Sequence, residues 1–256
     1  MCLIFVAIDA HPNYRIVVAA NRDEFYDRPT APASFWPEDP DLLAGRDLLA
    51  GGTWLGITRT GRIAALTNYR DPKPNQADAP SRGRVVSDYL MSKEGPLQFL
   101  KRLSLNAGRY NGFSLLAGLN ERIYWHSNRG GEIRRLSPGI HGLSNHLLDT
   151  PWPKVEKGRK EIAGILAGED VSIEGLFQLL QDRALVEDES LPDTGVDLEW
   201  ERTLSPVFIS SPTYGTRSST VILLDRSGMA TLVERSFERG SKSYSTAAHS
   251  FKVAVP

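Results

Sequence analysis

Two apolar runs separated by a turn open this chain, and they constrain its fold more than any other feature. Residues 2–9, CLIFVAID, are continuously apolar and rich in β-formers, and residues 14–21, YRIVVAAN, repeat the pattern. Uninterrupted apolar runs of this length predict strands buried on both faces. His11, Pro12 and Asn13 give the turn signal between them, so the pair reads as an antiparallel hairpin. With the turn there, residue 2 comes to lie roughly opposite residue 22.

The remaining pattern alternates strand groups with helix groups. Residues 27–52, rich in Pro, Asp and Gly, predict an ordered loop, followed by strands at 53–58 and 62–68 joined across Gly61. Residues 70–81 predict a second loop. Ser81 is placed to cap a helix over 82–92, and Gly95-Pro96 opens another over 95–104. Strands are expected at 113–119, 122–127 and 132–136, then a loop over 141–154. Helical spacing follows over 154–168 and over 172–186, with Ser172 as a cap, then an acidic loop over 187–201. Strands at about 205–210, 218–225, 228–236 and 250–254 close the chain. Helices covering two stacked antiparallel sheets fit this order better than a parallel βαβ fold. With 256 residues, 41% of them hydrophobic, the chain can bury a core without disulfides or metals. No stretch reads as a long linker, so one domain over 1–256 is expected.

Several classes are disfavoured at once. Lys+Arg number 30 and Asp+Glu 31, a formal charge of -1, without the basic footprint of a nucleic-acid binder. The apolar start runs for only about eight residues and lacks a charged leader, so neither a signal peptide nor a membrane span is expected. One cysteine excludes an intrachain disulfide, and a cytoplasmic, reducing setting with a free thiol is the expectation. The pattern sets no oligomeric state.

That cysteine is residue 2. Trimming of an initiator Met before a small residue would leave Cys2 with its own α-amine, whose reference pKa is about 7.7–8. One residue would then supply nucleophile and general base together. The plainer reading of Cys2 is a small buried residue at a strand start. Asn21, Arg22, Asp23 and Glu24 end the second apolar run and fall near Cys2 in the hairpin. Four polar groups ending an apolar strand are costly unless they are paired or line a site. A carboxylate there could orient the amine, and Arg22 could steady a thiolate or bind an acidic group. Asn68 and Asn145 offer amide donors to a developing oxyanion, and Arg217 stands at the mouth of a late strand. Trp54, with Phe25, Tyr26, Phe35 and Trp36, could wall an apolar pocket. The five histidines show no metal spacing, and no metal site is expected; His141 and His146 read as loop polarity.

Six motifs in order, MCLIFVA, AANRDEFYDRPT, GGTWLGI, ALTNYRD, GLSNHLLDTPWPKV and YGTRSST, resemble the NRDE family, also called the transport and Golgi organisation family. The resemblance spans residues 1 to about 224. It implies an Ntn-hydrolase-like (N-terminal nucleophile) α+β fold, a four-layer αββα sandwich of two antiparallel sheets flanked by helices. It further implies similarity to choloylglycine hydrolases and penicillin acylases, whose nucleophilic cysteine follows the initiator Met as Cys2 does. On that likeness Asn21 and Asp23 match a strand asparagine and aspartate, Asn145 matches an oxyanion-hole asparagine, and Arg217 matches a late site arginine. Those amidases also carry an arginine near where this chain has Ala19 and Ala20; Arg22 is the neighbouring substitute, on the other face of the strand.

Two functions follow as expectations. The first is hydrolysis of an amide or related acyl bond of a small molecule, with catalytic Cys2, Asp23, Asn145 and Asn68, substrate-binding Asn21, Arg22, Glu24, Arg217 and Trp54, and no cofactor. The second is non-enzymatic carriage of haem or another apolar, acidic small molecule in the same pocket, in line with the haem trafficking and lipid or acyl-CoA handling that the resemblance brings with it.

Overall fold

A computed structural model of the chain describes residues 2–73, 75–239 and 243–254. The two opening runs form β1 (Cys2–Ile8) and β2 (Tyr14–Phe25), paired antiparallel with Cys2 opposite Arg22 and Ile8 opposite Ile16. β2 does not stop at residue 21: Asn21 to Glu24 lie within it. Residues 27–52 are not a loop. They contain β3 (Thr30–Trp36) and β4 (Asp39–Asp47), which lead into β5 (Leu55–Thr58) and β6 (Arg62–Asn68). Pro32 is tolerated because β3 is an edge strand whose register shifts between Ala31 and Ser34.

Two helices follow, α1 (Arg82–Met91) and α2 (Pro96–Ser104). Ser81 occupies the N-cap position of α1, but its side chain makes no capping hydrogen bond. β7 (Phe113–Leu119), β8 (Arg122–Ser127) and the two-residue β9 (Arg134–Arg135) complete a seven-stranded meander, β3 to β9 in order. The expected loop over 141–154 begins inside β10 (Gly139–Leu143), which pairs with β1. α3 (Pro153–Leu166) and α4 (Ile173–Leu180) come next; Ser172 caps α4 by accepting from the Gly175 amide at 3.0 Å, but the helix ends six residues before the expected 186. The acidic stretch contains α5 (Leu198–Thr203), and 205–210 contributes one isolated bridge, Ser210 to Gly215, rather than a strand. β11 (Tyr214–Asp225), β12 (Met229–Phe237) and β13 (Tyr244–Lys252) finish a six-stranded sheet ordered β10-β1-β2-β11-β12-β13. Among the described residues no helix is long and apolar enough to cross a membrane.

Strand alternation sorts the layers. Ile4, Val6, Ile8, Ile16, Val18 and Ala20 face the second sheet and meet Leu55, Ile57, Ile63, Ala65 and Leu116 there. Leu3, Phe5, Ala7, Val17 and Ala19 face the other way and pack beneath α3 and α4. α1 and α2 cover the far face of the meander through Val86, Tyr89, Phe99 and Leu100. The result is helices, sheet, sheet, helices. One contact pins α3 to its sheet: a Cβ on Gly158 would stand 2.1 Å from the buried Phe5 ring. Glycine in mid-helix costs about 1 kcal/mol against alanine, whereas overpacking a filled core costs ~1–3 kcal/mol. Gly158→Ala is therefore expected to lower stability by up to about 2 kcal/mol, read as a reduced urea midpoint with unchanged slope; a gain in stability would show that the ring yields.

Candidate active site

β1 delivers Cys2 to the open end of the cleft between the sheets. Ile4 and Val6 face the second sheet, so the period of two aims Cys2 the same way, beside Arg22 across the pair. Asp23 belongs to the alternate face but reaches the same opening, because β1 has run out beyond Cys2. The half-buried thiol lines a cavity of about 360 Å³ with Arg22, Asp23, Glu24, Trp54 and Asn68. The turn after β2, β4 and α1 add residues that sequence reasoning missed: Arg28 and Asp47, which pair at 2.7 Å, and Arg82. Arg28 falls within the motif AANRDEFYDRPT, whereas no motif marks Asp47 or Arg82, which tertiary structure carries to the rim.

The buried Arg22 guanidinium stacks on Trp54, 4.3 Å from the ring centroid, and donates from Nη1 to Thr30 Oγ1 at 3.0 Å. Trp54 is thus a platform for Arg22 as well as a cavity wall. Glu24 lies 3.7 Å from Arg28, so Arg28 is doubly compensated. Arg22 and Arg82 form no ion pair among the described residues. Arg82 donates to the Gly112 carbonyl at 2.8 Å; burial pulls its pKa down, against the influence of Glu24 and Cys2.

Burial pushes the Cys2 thiol above its ordinary value and Asp23 adds to this, while Arg22 and a hydrogen bond from the Asp23 backbone pull it back. Asp23 is 2% exposed, and burial raises its carboxyl too, opposed by Lys154, by Thr216 and by Arg22. Thr216 Oγ1 donates to Asp23 Oδ1 at 2.7 Å, and the Tyr214 hydroxyl donates to the Asp23 carbonyl at 2.8 Å. These bonds fix the Asp23 side chain and backbone beside Cys2.

The other residues named from sequence divide. Asn68 is on the cavity wall, and its carbonyl accepts from Asn145 Nδ2 at 3.0 Å. Asn145 itself stands behind Asn68, buried, and its own carbonyl accepts from the Arg70 amide at 2.7 Å. Asn21 is not at the cavity: it faces the helix layer, donates to the Leu180 and Val207 carbonyls at 2.8 and 2.9 Å, and accepts from Ser219. Arg217 is also elsewhere. Thr216 pairs with Asp23 and Ser218 with Arg22, leaving Arg217 as the extra residue of a bulge. Its Nη1 donates to the carbonyls of Phe25, Tyr26 and Arg28, and it lines a separate cavity with Thr30 and Glu234. His141 pairs with Asp149 at 2.8 Å and His146 stacks near Tyr69 and Trp152; neither lines the Cys2 cavity. No group of three or more His, Cys, Asp or Glu suited to a metal occurs among the described residues.

Two antiparallel sheets stacked between helices, with a cysteine opening the first strand at the cleft mouth, define the Ntn-hydrolase-like fold class. Solved structures agree on the fold. A conjugated bile acid hydrolase variant from Clostridium perfringens superposes with TM-score 0.54 at 8% identity, covering 98% of this chain and 97% of that one. The Caenorhabditis elegans N-acylethanolamine-hydrolyzing acid amidase ortholog gives TM-score 0.51 at 11% identity, covering 87% and 92%. Within that class the chain belongs to the transport and Golgi organisation 2 family, whose profile matches residues 1–239. The mouse "Transport and Golgi organization 2 homolog" is 38% identical over 257 residues, 92% of this chain and 93% of that protein. The Drosophila melanogaster "Transport and Golgi organization protein 2" is 30% identical over 260 residues, 91% of each.

Proposed function

We propose that this protein is an N-terminal-nucleophile cysteine hydrolase, cleaving an amide or related acyl bond of a small molecule that carries a polar or acidic group. The observation that carries the reading is the placement of the lone thiol: it opens a polar cavity between the sheets, opposite Arg22 and beside Asp23. A thiol held protonated by burial needs a base to become a nucleophile. Removal of Met1 would provide one in the Cys2 α-amine, which titrates near neutrality. The amine takes the thiol proton as sulfur attacks the acyl carbon. Asn68, held by Asn145, or a backbone amide faces the oxyanion. Collapse breaks the bond to the leaving amine, which takes the proton back. Water then cleaves the thioester by the same cycle, releasing the acid and regenerating the thiol. Asp23 orients the α-ammonium, and Arg22 and Arg82 meet the polar part of the substrate.

The test is direct. A cysteine-directed acyl probe is expected to label Cys2 on protein whose intact mass lacks Met1. Full retention of Met1 on protein that still turns over an acyl substrate would overturn the proposed base. Carriage without chemistry, of haem or another acidic apolar molecule, predicts ligand binding with no acyl-enzyme. A Soret shift on hemin titration that is unchanged in His141→Ala and His146→Ala, together with absent labelling, would favour it.

A further inference from the structure

The cavity that Arg217 lines with Thr30 and Glu234 has a volume of about 360 Å³, equal to the one at Cys2, and no step of the proposed reaction uses it. Strand register ties the two together. Cys2 pairs with Arg22, Arg22 with Ser218, Ser218 with Ser236 and Ser236 with Ser245, one row of positions across β1, β2, β11, β12 and β13. Ile4, Ala20, Ile222, Leu232 and Phe251 face the second sheet, and the period of two turns the whole row the same way. Cys2 and Arg22 line the first cavity; Ser218, Ser236 and Ser245 line the second. The two meet where Arg22 Nη1 donates to Thr30 Oγ1 at 3.0 Å, since Thr30 belongs to the second. Neighbouring strands lie about 4.8 Å apart, which sets β11 and β12 roughly 10–15 Å from Cys2 along this row.

Among the described residues the charged groups lining the second cavity are Arg217, Glu234 and Glu238. Arg217 Nη1 is committed to three backbone carbonyls. Glu234 is 2% exposed; Oε1 accepts from the Ala33 amide at 2.7 Å and Oε2 from Thr220 Oγ1 at 3.1 Å. It forms no ion pair among the described residues, and its neighbour Arg235 turns to the opposite face of the sheet, where it lies over Phe177 and pairs with Glu174. A glutamine would serve both bonds, accepting from Ala33 and donating to the Thr220 hydroxyl, with no buried charge to stabilise. Fold stability alone does not call for a carboxylate here. Burial raises its carboxyl pKa, as expected of an anion short of positive charge. Phe237 and Tyr244, edge to face with centroids 6.0 Å apart, add two aromatic rings to the same wall. Carboxylates beside aromatic rings are suited to an alkylammonium.

We infer that the second cavity is a specificity subsite of the Cys2 cleft and takes an ammonium group, with Glu234 as its counter-charge. The substrate class is then an acyl amide that ends in an ammonium roughly 10–15 Å from the scissile carbon, with Arg22 and Arg82 beside the polar part nearer Cys2. That the occupant is a substrate rests on the hydrolase reading; that the cavity prefers a cation does not.

Cys2 is the sole cysteine, so its alkylation reports occupancy of the cleft without any turnover. Two chloroacetamides of equal length, N-(6-aminohexyl)chloroacetamide and N-(6-hydroxyhexyl)chloroacetamide, are compared on the full-length protein. Rates are taken relative to iodoacetamide, which is too short to reach the second cavity and reads the thiol itself. The ammonium probe is expected to alkylate Cys2 about tenfold faster than the hydroxyl probe, the scale of one hydrogen bond to a charged group. Glu234→Gln, which keeps the bonds to Ala33 and Thr220, is expected to erase that advantage. Equal rates for the two probes on the wild type, or an ammonium advantage that survives in folded Glu234→Gln, overturns the inference. Should Glu234→Gln not fold, Ser236→Lys makes the same test by placing a competing cation in the cavity from a half-buried position on β12. It is expected to remove the advantage, and an advantage that persists overturns the inference equally. A Glu234-dependent advantage without any acyl-enzyme at Cys2 would instead count against the hydrolase reading alone.

Discussion

Cys2→Ala is expected to abolish acyl-probe labelling and to reduce turnover of any acyl substrate by about four orders of magnitude or more, the scale on which loss of a catalytic nucleophile is felt. The protein should remain folded. Cys2 is only half-buried at the first position of β1, so removing its sulfur creates no enclosed cavity, and the unfolding midpoint should shift by no more than about 1 kcal/mol in stability. Because it is the sole cysteine, iodoacetamide reports on it alone. Alkylation in the wild type should climb with pH and reach its midpoint above the ordinary value of a free thiol, since burial and Asp23 both oppose the thiolate. Asp23→Asn removes one of those opposing influences and should move the midpoint down. A Cys2→Ala protein that kept full turnover would remove the nucleophile from the mechanism, whatever its fold.

The parts of this site that were legible in the sequence are those set by strand pairing. A hairpin with its turn at 11–13 fixes Cys2 against Arg22, and alternation then sends Arg22 into the cleft and Asn21 away from it. What failed depended on interruptions to that regularity. Arg217 looks like a site arginine at a strand mouth, but the bulge between Thr216 and Ser218 takes it out of register and ties it to three backbone carbonyls. β3 and β4 read as loop because Pro32, Pro37 and Pro40 punctuate them; Pro32 lies on the edge strand β3, Pro37 in the turn between the two strands, and Pro40 at the start of β4, before its pairing with β5 begins at Leu42. Missing β4 meant missing Asp47, and with it the ion pair that neutralises Arg28. Arg82 was visible only as the first residue of a helix; its place at the cavity follows from how α1 seats on the meander, with Gly83 against Thr53.

The acidic stretch before residue 201 hid the largest stability prediction in the molecule. It reads as a solvated loop, but Glu201 is 3% exposed within α5, a helix capped by Asp197 accepting from the Trp200 amide. Its carboxylate bonds the Arg70 guanidinium, which is 6% exposed and lies over Trp152 at 4.7 Å, and it also accepts from the Thr194 amide at 3.1 Å. Glu201→Gln leaves a buried guanidinium without its anion, and breaking such a pair costs about 3–5 kcal/mol. Urea unfolding should show that loss as a lowered midpoint at constant slope. Arg70→Met combined with Glu201→Gln should cost less than the sum of the single changes, because neither charge is then stranded in the interior. Simple additivity would mean that each residue acts through separate packing contacts. The damage should also reach the site: the Arg70 amide holds the Asn145 carbonyl, and Asn145 holds Asn68 on the cavity wall. Folded Glu201→Gln protein is therefore expected to label more slowly at Cys2 than the wild type, whereas Gly158→Ala should lose stability without that change in rate.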